Sequence, residues 1–375
     1  MSSKKTAEDP AVTLQQLKRL RDDYNQNCKL FVSEPLISKR LDKAVQLNEP
    51  VEKIILTGMS VPLSPNDIYA LANTFQAYTP LKFICLWMVK TDNRILDGLA
   101  SLLSSHGGIQ TLHIIDCGIT GSESLINICQ SSKSLRTLVL DHNPLGSQGF
   151  NHILTGIRRN NAGPEGGIRK LSLKYCGIDH TSSENFGFTL QKDPLLAEID
   201  LTGNTILDRG LEPIAKGLDT NSNLKVLNLA ANGIAERFEV YGILSAKDFD
   251  DMEKENADPN ANPIAGESAT SESAESKSAK QLPPGLIALC ETLALRNIGL
   301  STLDLRANHI GNEASALISD MLQTRKQGMS TTKASPLVAH VSERISEELF
   351  NKILELNDAM TNLGKKGGKG GKKKK

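Results

Sequence analysis

Several side chains in this 375-residue chain could do chemistry. His113, Asp116, Asp141 and His142 form two acid–imidazole pairs separated by about one period of the chain. Two imidazoles and two carboxylates are a donor set that zinc accepts. Six cysteines are scattered without a C-x-x-C pair, which predicts reduced thiols of a cytosolic protein rather than a disulfide framework or zinc site. Arg94 could serve a phosphoryl-transfer site. The chain contains no G-x-S-x-G, P-loop or H-E-x-x-H. The spacing of the His and Asp residues follows the internal period described next, which favours polar residues on a repeated face over a metal or catalytic centre.

That period comes from eleven-residue copies of L-x-x-L-x-L-x-x-N/C-x-L. Clear copies begin at Ile109, Leu135, Ile168, Leu196, Leu224 and Leu300, and weaker ones at Val51 and Leu81. The starts step by 30, 28, 26, 33, 28, 28 and then 76 residues. The first, fourth and sixth positions point apolar side chains inward. The ninth turns the chain, where Asn143, Asn204, Asn232, Asn308, Cys117 and Cys176 can bond backbone groups otherwise buried unpaired. Met59 and Val89 hold that slot in the weaker copies and predict an imperfect ladder there. Apolar residues at three-to-four spacing between the copies predict one helix per repeat.

These copies resemble ribonuclease-inhibitor-type leucine-rich-repeat proteins. The resemblance implies an α/β solenoid, a horseshoe with parallel strands on its concave face and helices on its convex face. It covers residues 51–327, with about eight repeats. Residues 1–50 read as an N-terminal helical cap, because a solenoid otherwise exposes its apolar ends. The 76-residue step holds 48 extra residues, so an acidic, largely disordered insertion is expected at residues 236–283. Residues 337–363 carry one apolar helical face and predict a long amphipathic helix, either a C-terminal cap or a docking helix for another chain. Residues 364–375 are Gly and Lys only, a composition that predicts a flexible polycation.

Function in such a repeat belongs to positions five, seven and eight, which the resemblance places on the concave surface. The residues expected to bind a protein partner are Ile55, Cys85, Trp87, Met88, Ile115, Asp116, Val139, His142, Lys174 and Tyr175. The N-terminal half of this stripe is apolar around Trp87, the single tryptophan. Lys365, Lys366, Lys369, Lys372, Lys373, Lys374 and Lys375 form a tail attracted to polyanions. It lacks interleaved aromatics, so sequence-specific nucleic-acid recognition is not expected. The start of the chain is polar, without the apolar core of a signal peptide. No run of about 18 apolar residues predicts a membrane span. No cofactor and no catalytic residue is expected.

A narrower likeness lies in Leu86-WMVKTDNRILDGLASLL together with the late polar insertion and the Lys-rich end. This combination resembles the ciliary leucine-rich-repeat-containing protein 71 family. It implies a non-enzymatic scaffold in the cytoplasm or axoneme, with tubulin's acidic tails or other axonemal proteins as partners. Ran-type GTPase-activating proteins use similar repeats and are the alternative. Across residues 51–134 only Arg94 could supply their arginine, and the basic end departs from that family's acidic tail.

Overall fold

In the computed structural model the described residues are 13–59, 62–131, 133–160, 166–193, 195–235, 282–332 and 334–369. Two helices lead, α1 (Leu14–Phe31) and α2 (Ser38–Leu47). Then strands and helices alternate: β1 (Lys53–Thr57), α3 (Pro65–Phe75), β2 (Phe83–Trp87), α4 (Arg94–Ser105), β3 (Thr111–Ile115), α5 (Ser124–Ser131), β4 (Thr137–Val139) and α6 (Gly146–Arg159). They continue with β5 (Lys170–Ser172), α7 (Ser183–Lys192), β6 (Glu198–Asp200), α8 (Leu211–Thr220), β7 (Val226–Asn228), α9 (Pro284–Leu295), β8 (Thr302–Asp304), α10 (Asn312–Thr332), β9 (Val338–His340) and α11 (Glu347–Lys369). The nine strands among the described residues pair in parallel in simple chain order, in an open sheet with helices, so the α/β leucine-rich-repeat solenoid stands.

The register aligns the template slot by slot. Ile55 faces Cys85, Cys85 faces His113, His113 faces Val139, and Val139 faces Ser172. The fourth and sixth positions, such as Leu138 and Leu140, are fully buried under the helices. One apolar layer therefore runs the length of the array, each repeat covering the next.

Two polar ladders hold the layers together. In the first, Asn143 Nδ2 donates to the carbonyls of Ile114 (2.7 Å) and Leu140 (2.8 Å), while its Oδ1 accepts from the amides of Cys117 (3.0 Å) and Ile119 (3.3 Å). Asn204 repeats the pattern on Leu173, Leu201, Cys176 and Ile178. Asn308 repeats it across the long gap, accepting from Asn232 and Ile234. The Cys176 thiol donates to Leu140 O (3.3 Å), doing part of the same work. Val89 instead packs fully buried.

The second ladder sits three residues before the repeat's first apolar position. Asn221 Nδ2 donates to Leu190 O (2.6 Å), and its Oδ1 accepts from Asn223 and Leu224 N–H. Asn297 does the same with Leu218, Gly299 and Leu300. His106 fills this slot earlier, its Nδ1 accepting from the amides of Gly108 and Ile109. At the far end Arg325, 1% exposed, donates to the carbonyls of Leu293, Asn297, Leu300 and Ser335. These bonds satisfy helix C-terminal carbonyls that would otherwise be buried unpaired.

Both ends of the sheet carry extra elements. α1 lies against α3, with Asn27 Nδ2 donating to Thr74 Oγ1 (3.0 Å) and buried Leu20, Tyr24 and Leu41 joining the core. At the other end the expected continuous helix over 337–363 is corrected. Val338–His340 forms β9, and the helix begins at Glu347. Three-to-four spacing cannot register a neighbouring strand, and β8 supplies the hydrogen-bonding partner that makes extended chain favourable here. The ninth copy escapes the template because Pro336 and Ala339 stand at its first and fourth positions. Asn357 of α11 closes the edge of β9, accepting from Ala339 N–H (3.0 Å) and donating to Ala339 O (2.8 Å).

α11 runs on to Lys369, so Lys365, Lys366 and Lys369 extend a helix where a flexible tail was expected. Once a helix is nucleated each further residue costs little, even for a poor helix former. Lys372, Lys373, Lys374 and Lys375 lie outside the described residues, as does most of the expected insertion at 236–283. Across that gap repeat seven resumes in step, because the Asp208 carboxylate accepts from Gly285 N–H (3.0 Å) and Leu286 N–H (2.8 Å) at the start of α9.

Candidate functional site

The concave face presents positions three, five and seven of each strand, with position eight at its rim. Position eight is built by backbone strain: Met88, Asp116, His142, Tyr175, Ala231 and Ala307 all have φ between 50° and 59°, and Gly58 and Gly203 take the same slot. A left-handed residue lets the chain leave the strand and deliver its ninth side chain to the ladder. It costs a non-glycine residue about 1–2 kcal/mol. It also throws the position-eight side chain out to solvent.

The expected apolar stripe is brought together on adjacent strands. Ile55 is 45% exposed, Trp87 49% and Met88 57%, and Ile115 and Val139 are half-buried beside them. Trp87 pairs in register with Thr57 on one side and Ile115 on the other. Cys85 is a correction: it is buried, not surface-exposed. Ile55 and His113 flank it in register, and Phe83 and Trp87 stand two residues away on the same face. Burial raises its thiol pKa. Phe83 belongs to the site and was missed, since position three was not counted. It is half-buried, its ring edge-on to His113 at 4.9 Å. The signal was an aromatic at a slot that holds Lys or Thr in its neighbours Lys53, Thr111 and Thr137.

The polar residues do not converge on a reaction centre. His113 packs on Phe83, and burial lowers its pKa. Asp141 Oδ1 accepts from Ser172 Oγ (2.7 Å) and the Lys174 amide (3.0 Å). Asp116 is exposed at the rim. His142 stacks on Tyr175 with ring centroids 5.0 Å apart. Tyr175 lies over Gly203, where any Cβ would meet its ring at 2.2 Å. Lys174 pairs with Asp200 at 3.2 Å. Among the described residues no group of three His, Cys, Asp or Glu side chains could hold a metal ion. The six cysteines are free and buried, and burial pushes the thiols of Cys129, Cys176 and Cys290 up to about 12, far from nucleophilic. Arg94 is exposed at the start of α4 and held by the Asp92 carboxylate at 2.7 Å. Among the described residues no helix is long and apolar enough to cross a membrane.

Comparison with known proteins finds one repeat-family match and several partial relatives. Residues 192–215 match the family model described as Leucine Rich repeat. The chain is 28% identical over 198 residues to the ribonuclease inhibitor of Mus musculus, covering 52% of this chain and 38% of that protein. It is 32% identical over 112 residues to NACHT, LRR and PYD domains-containing protein 12 of Homo sapiens, covering 29% of this chain and 10% of that protein. The chain thus spans well under half the length of these relatives. Among solved structures an internalin from Listeria monocytogenes aligns with a TM-score of 0.36 at 13% identity, covering 93% of this chain and 97% of that one.

Proposed function

We propose that this leucine-rich-repeat protein of the ribonuclease-inhibitor type is a non-catalytic scaffold that binds a protein partner on the N-terminal half of its concave face. One observation carries the reading: Ile55, Phe83, Trp87, Met88, Ile115 and Val139 form a contiguous apolar surface over four adjacent strands, with Trp87 about half exposed at its centre. Open apolar surface ringed by polar residues is costly in water and marks association sites. A tryptophan at the centre of such a patch is a common anchor of binding energy. Asp116, His142, Lys174 and Tyr175 supply the polar rim that orients the partner.

The test is affinity purification of the tagged full chain beside Trp87→Ala, followed by titration of the captured partner. Loss of the anchor should weaken binding by about 2 kcal/mol, roughly thirtyfold in Kd. A partner held equally well by both proteins refutes this address for the site.

An axonemal role is the finer reading. It rests on the likeness of residues 86–103 to ciliary repeat proteins and on the Lys-rich end, whose charge suits acidic tubulin tails. Tagged full-length protein and a version ending at Leu363 would be imaged in ciliated cells. Diffuse signal from both would sink it.

A further inference from the structure

The two edges of the sheet are finished differently. In a parallel sheet the backbone groups of successive residues point alternately toward one side of the strand and the other. Phe83 N–H donates to Glu52 O (3.2 Å), so Glu52, Ile54 and Leu56 are the residues that bond β2. Lys53, Ile55 and Thr57 therefore turn their N–H and C=O groups away from the sheet. The same alternation at β9 turns Ala339 outward, since Val338 N–H donates to Ser301 O and His340 O accepts from Leu305 N–H. There Asn357 takes both outward groups, at 3.0 and 2.8 Å. At β1, among the described residues, no group bonds the outward N–H and C=O of Lys53, Ile55 or Thr57.

Exposed sheet edges are usually blunted by proline, by a bulge or by charge. β1 contains no proline and keeps an unbroken register with β2 from Lys53 to Thr57. Its one charge, Lys53, stands at one end. The side chains of Lys53, Ile55 and Thr57 are exposed, and Ile55 is continuous with the concave apolar surface. The layer beneath is sealed: Ile54 and Leu56 are buried in one cluster with Ile37, Leu41 and Val51. What this edge lacks is backbone partners, not cover for its core.

We propose that the edge of β1 takes an extended segment of the partner protein, which adds a strand to the sheet. The proposal rests on the concave-site reading only in assigning that segment to the same partner. The unmet groups of Lys53, Ile55 and Thr57 are donors and acceptors repeating every two residues, roughly 6.6 Å. An extended polypeptide presents matching acceptors and donors at that interval. Nucleic-acid and lipid phosphates offer mainly acceptors and would leave the three carbonyls unmet. Beside Ile55 the segment needs an apolar residue, and beside Lys53 an acid. A second copy of this chain fits worse. With two-fold pairing centred on Ile55, the cap that seals Ile54 and Leu56 would meet its twin under the same edge. An added peptide needs only the width of one strand, about 4.8 Å.

The probe is fluorescein-labelled Ser-Glu-Val-Ile-Val-Thr-Ser, added to the full chain. Laid parallel to β1, it puts its Glu beside Lys53 and its Ile beside Ile55. A saturable rise in anisotropy is expected, and the same peptide N-methylated at every residue should not bind. In the free protein the amides of Lys53, Ile55 and Thr57 should exchange fast and those of Ile54 and Leu56 slowly, and the peptide should slow the first three. Thr57→Pro removes an outward donor and none of the bonds to β2, so it should weaken the peptide about tenfold, while Thr57→Val should not. Circular dichroism checks that both are folded, and if Thr57→Pro is not, the exchange measurement on the unsubstituted chain decides. No binding, equal binding of the methylated peptide, unchanged affinity in folded Thr57→Pro, or bound peptide that leaves the three amides fast overturns the proposal. So does protection of those amides before peptide is added, in a monomer or a dimer, because this chain itself would then cover the edge. Failure here leaves the concave site standing, since that site is tested by Trp87→Ala on the captured partner.

Discussion

Lowering the pH should loosen this solenoid through His106, and an asparagine there should remove that sensitivity. His106 is 2% exposed. Its Nδ1 faces two amide donors, Gly108 N–H at 2.9 Å and Ile109 N–H at 3.2 Å, while Nε2 lies 2.9 Å from the Tyr78 carbonyl. These neighbours fix the neutral tautomer with its proton on Nε2. A second proton on Nδ1 would point at two N–H groups and strand both. Burial also holds the pKa below the usual imidazole value. The unfolded chain titrates near 6.5. The stabilisation is therefore complete above about pH 6.5 and is lost as pH falls toward the folded-state pKa. If the folded site takes up no proton, moving from pH 7.5 to 5.0 costs about 2 kcal/mol, with a limiting slope of about 1.4 kcal/mol per pH unit. Asn221 makes the same i+2 and i+3 acceptor bonds without a titrating group, so His106→Asn should keep the turn and drop the slope. Urea unfolding of both proteins at several pH values measures this. His113, whose pKa burial also lowers, is common to both and cancels in the difference. A stability difference constant within about 0.5 kcal/mol across that range would refute the reasoning.

Two further outcomes follow from the ladders. Arg325→Met should destabilise the C-terminal repeats by about 3–5 kcal/mol, because three buried carbonyls and one part-buried carbonyl lose their donor, read as earlier urea unfolding and faster amide exchange in α9 and α10. An unchanged midpoint would show those carbonyls satisfied otherwise. Ala307→Gly should stabilise by about 0.5–1 kcal/mol in thermal melts, since exposed Ala307 sits at φ 56° where Gly58 and Gly203 occur in other repeats; a lower melting temperature would refute strain there.

The sequence by itself determined the repeat and its register. Each slot of L-x-x-L-x-L-x-x-N/C-x-L has one physical duty, and a slip of one residue would turn Leu138 and Leu140 outward and the asparagines away from their carbonyls. The exposure of Trp87 at position seven and of Met88, His142 and Tyr175 at position eight was legible for the same reason. What the tertiary structure alone decided depends on lateral neighbours, which no local pattern encodes. Cys85 and Ile55 hold the same slot, yet one is 9% exposed and the other 45%, because β1 lies at the sheet edge and β2 has a strand on each side. Val338–His340 became a strand because β8 offered it partners. The second ladder had a signal, a polar residue three positions before each first apolar residue at His106, Asp193, Asn221 and Asn297. Its meaning appeared only when those side chains met the carbonyls of the preceding repeat. Arg94, single in its window of the sequence, proved tied to Asp92.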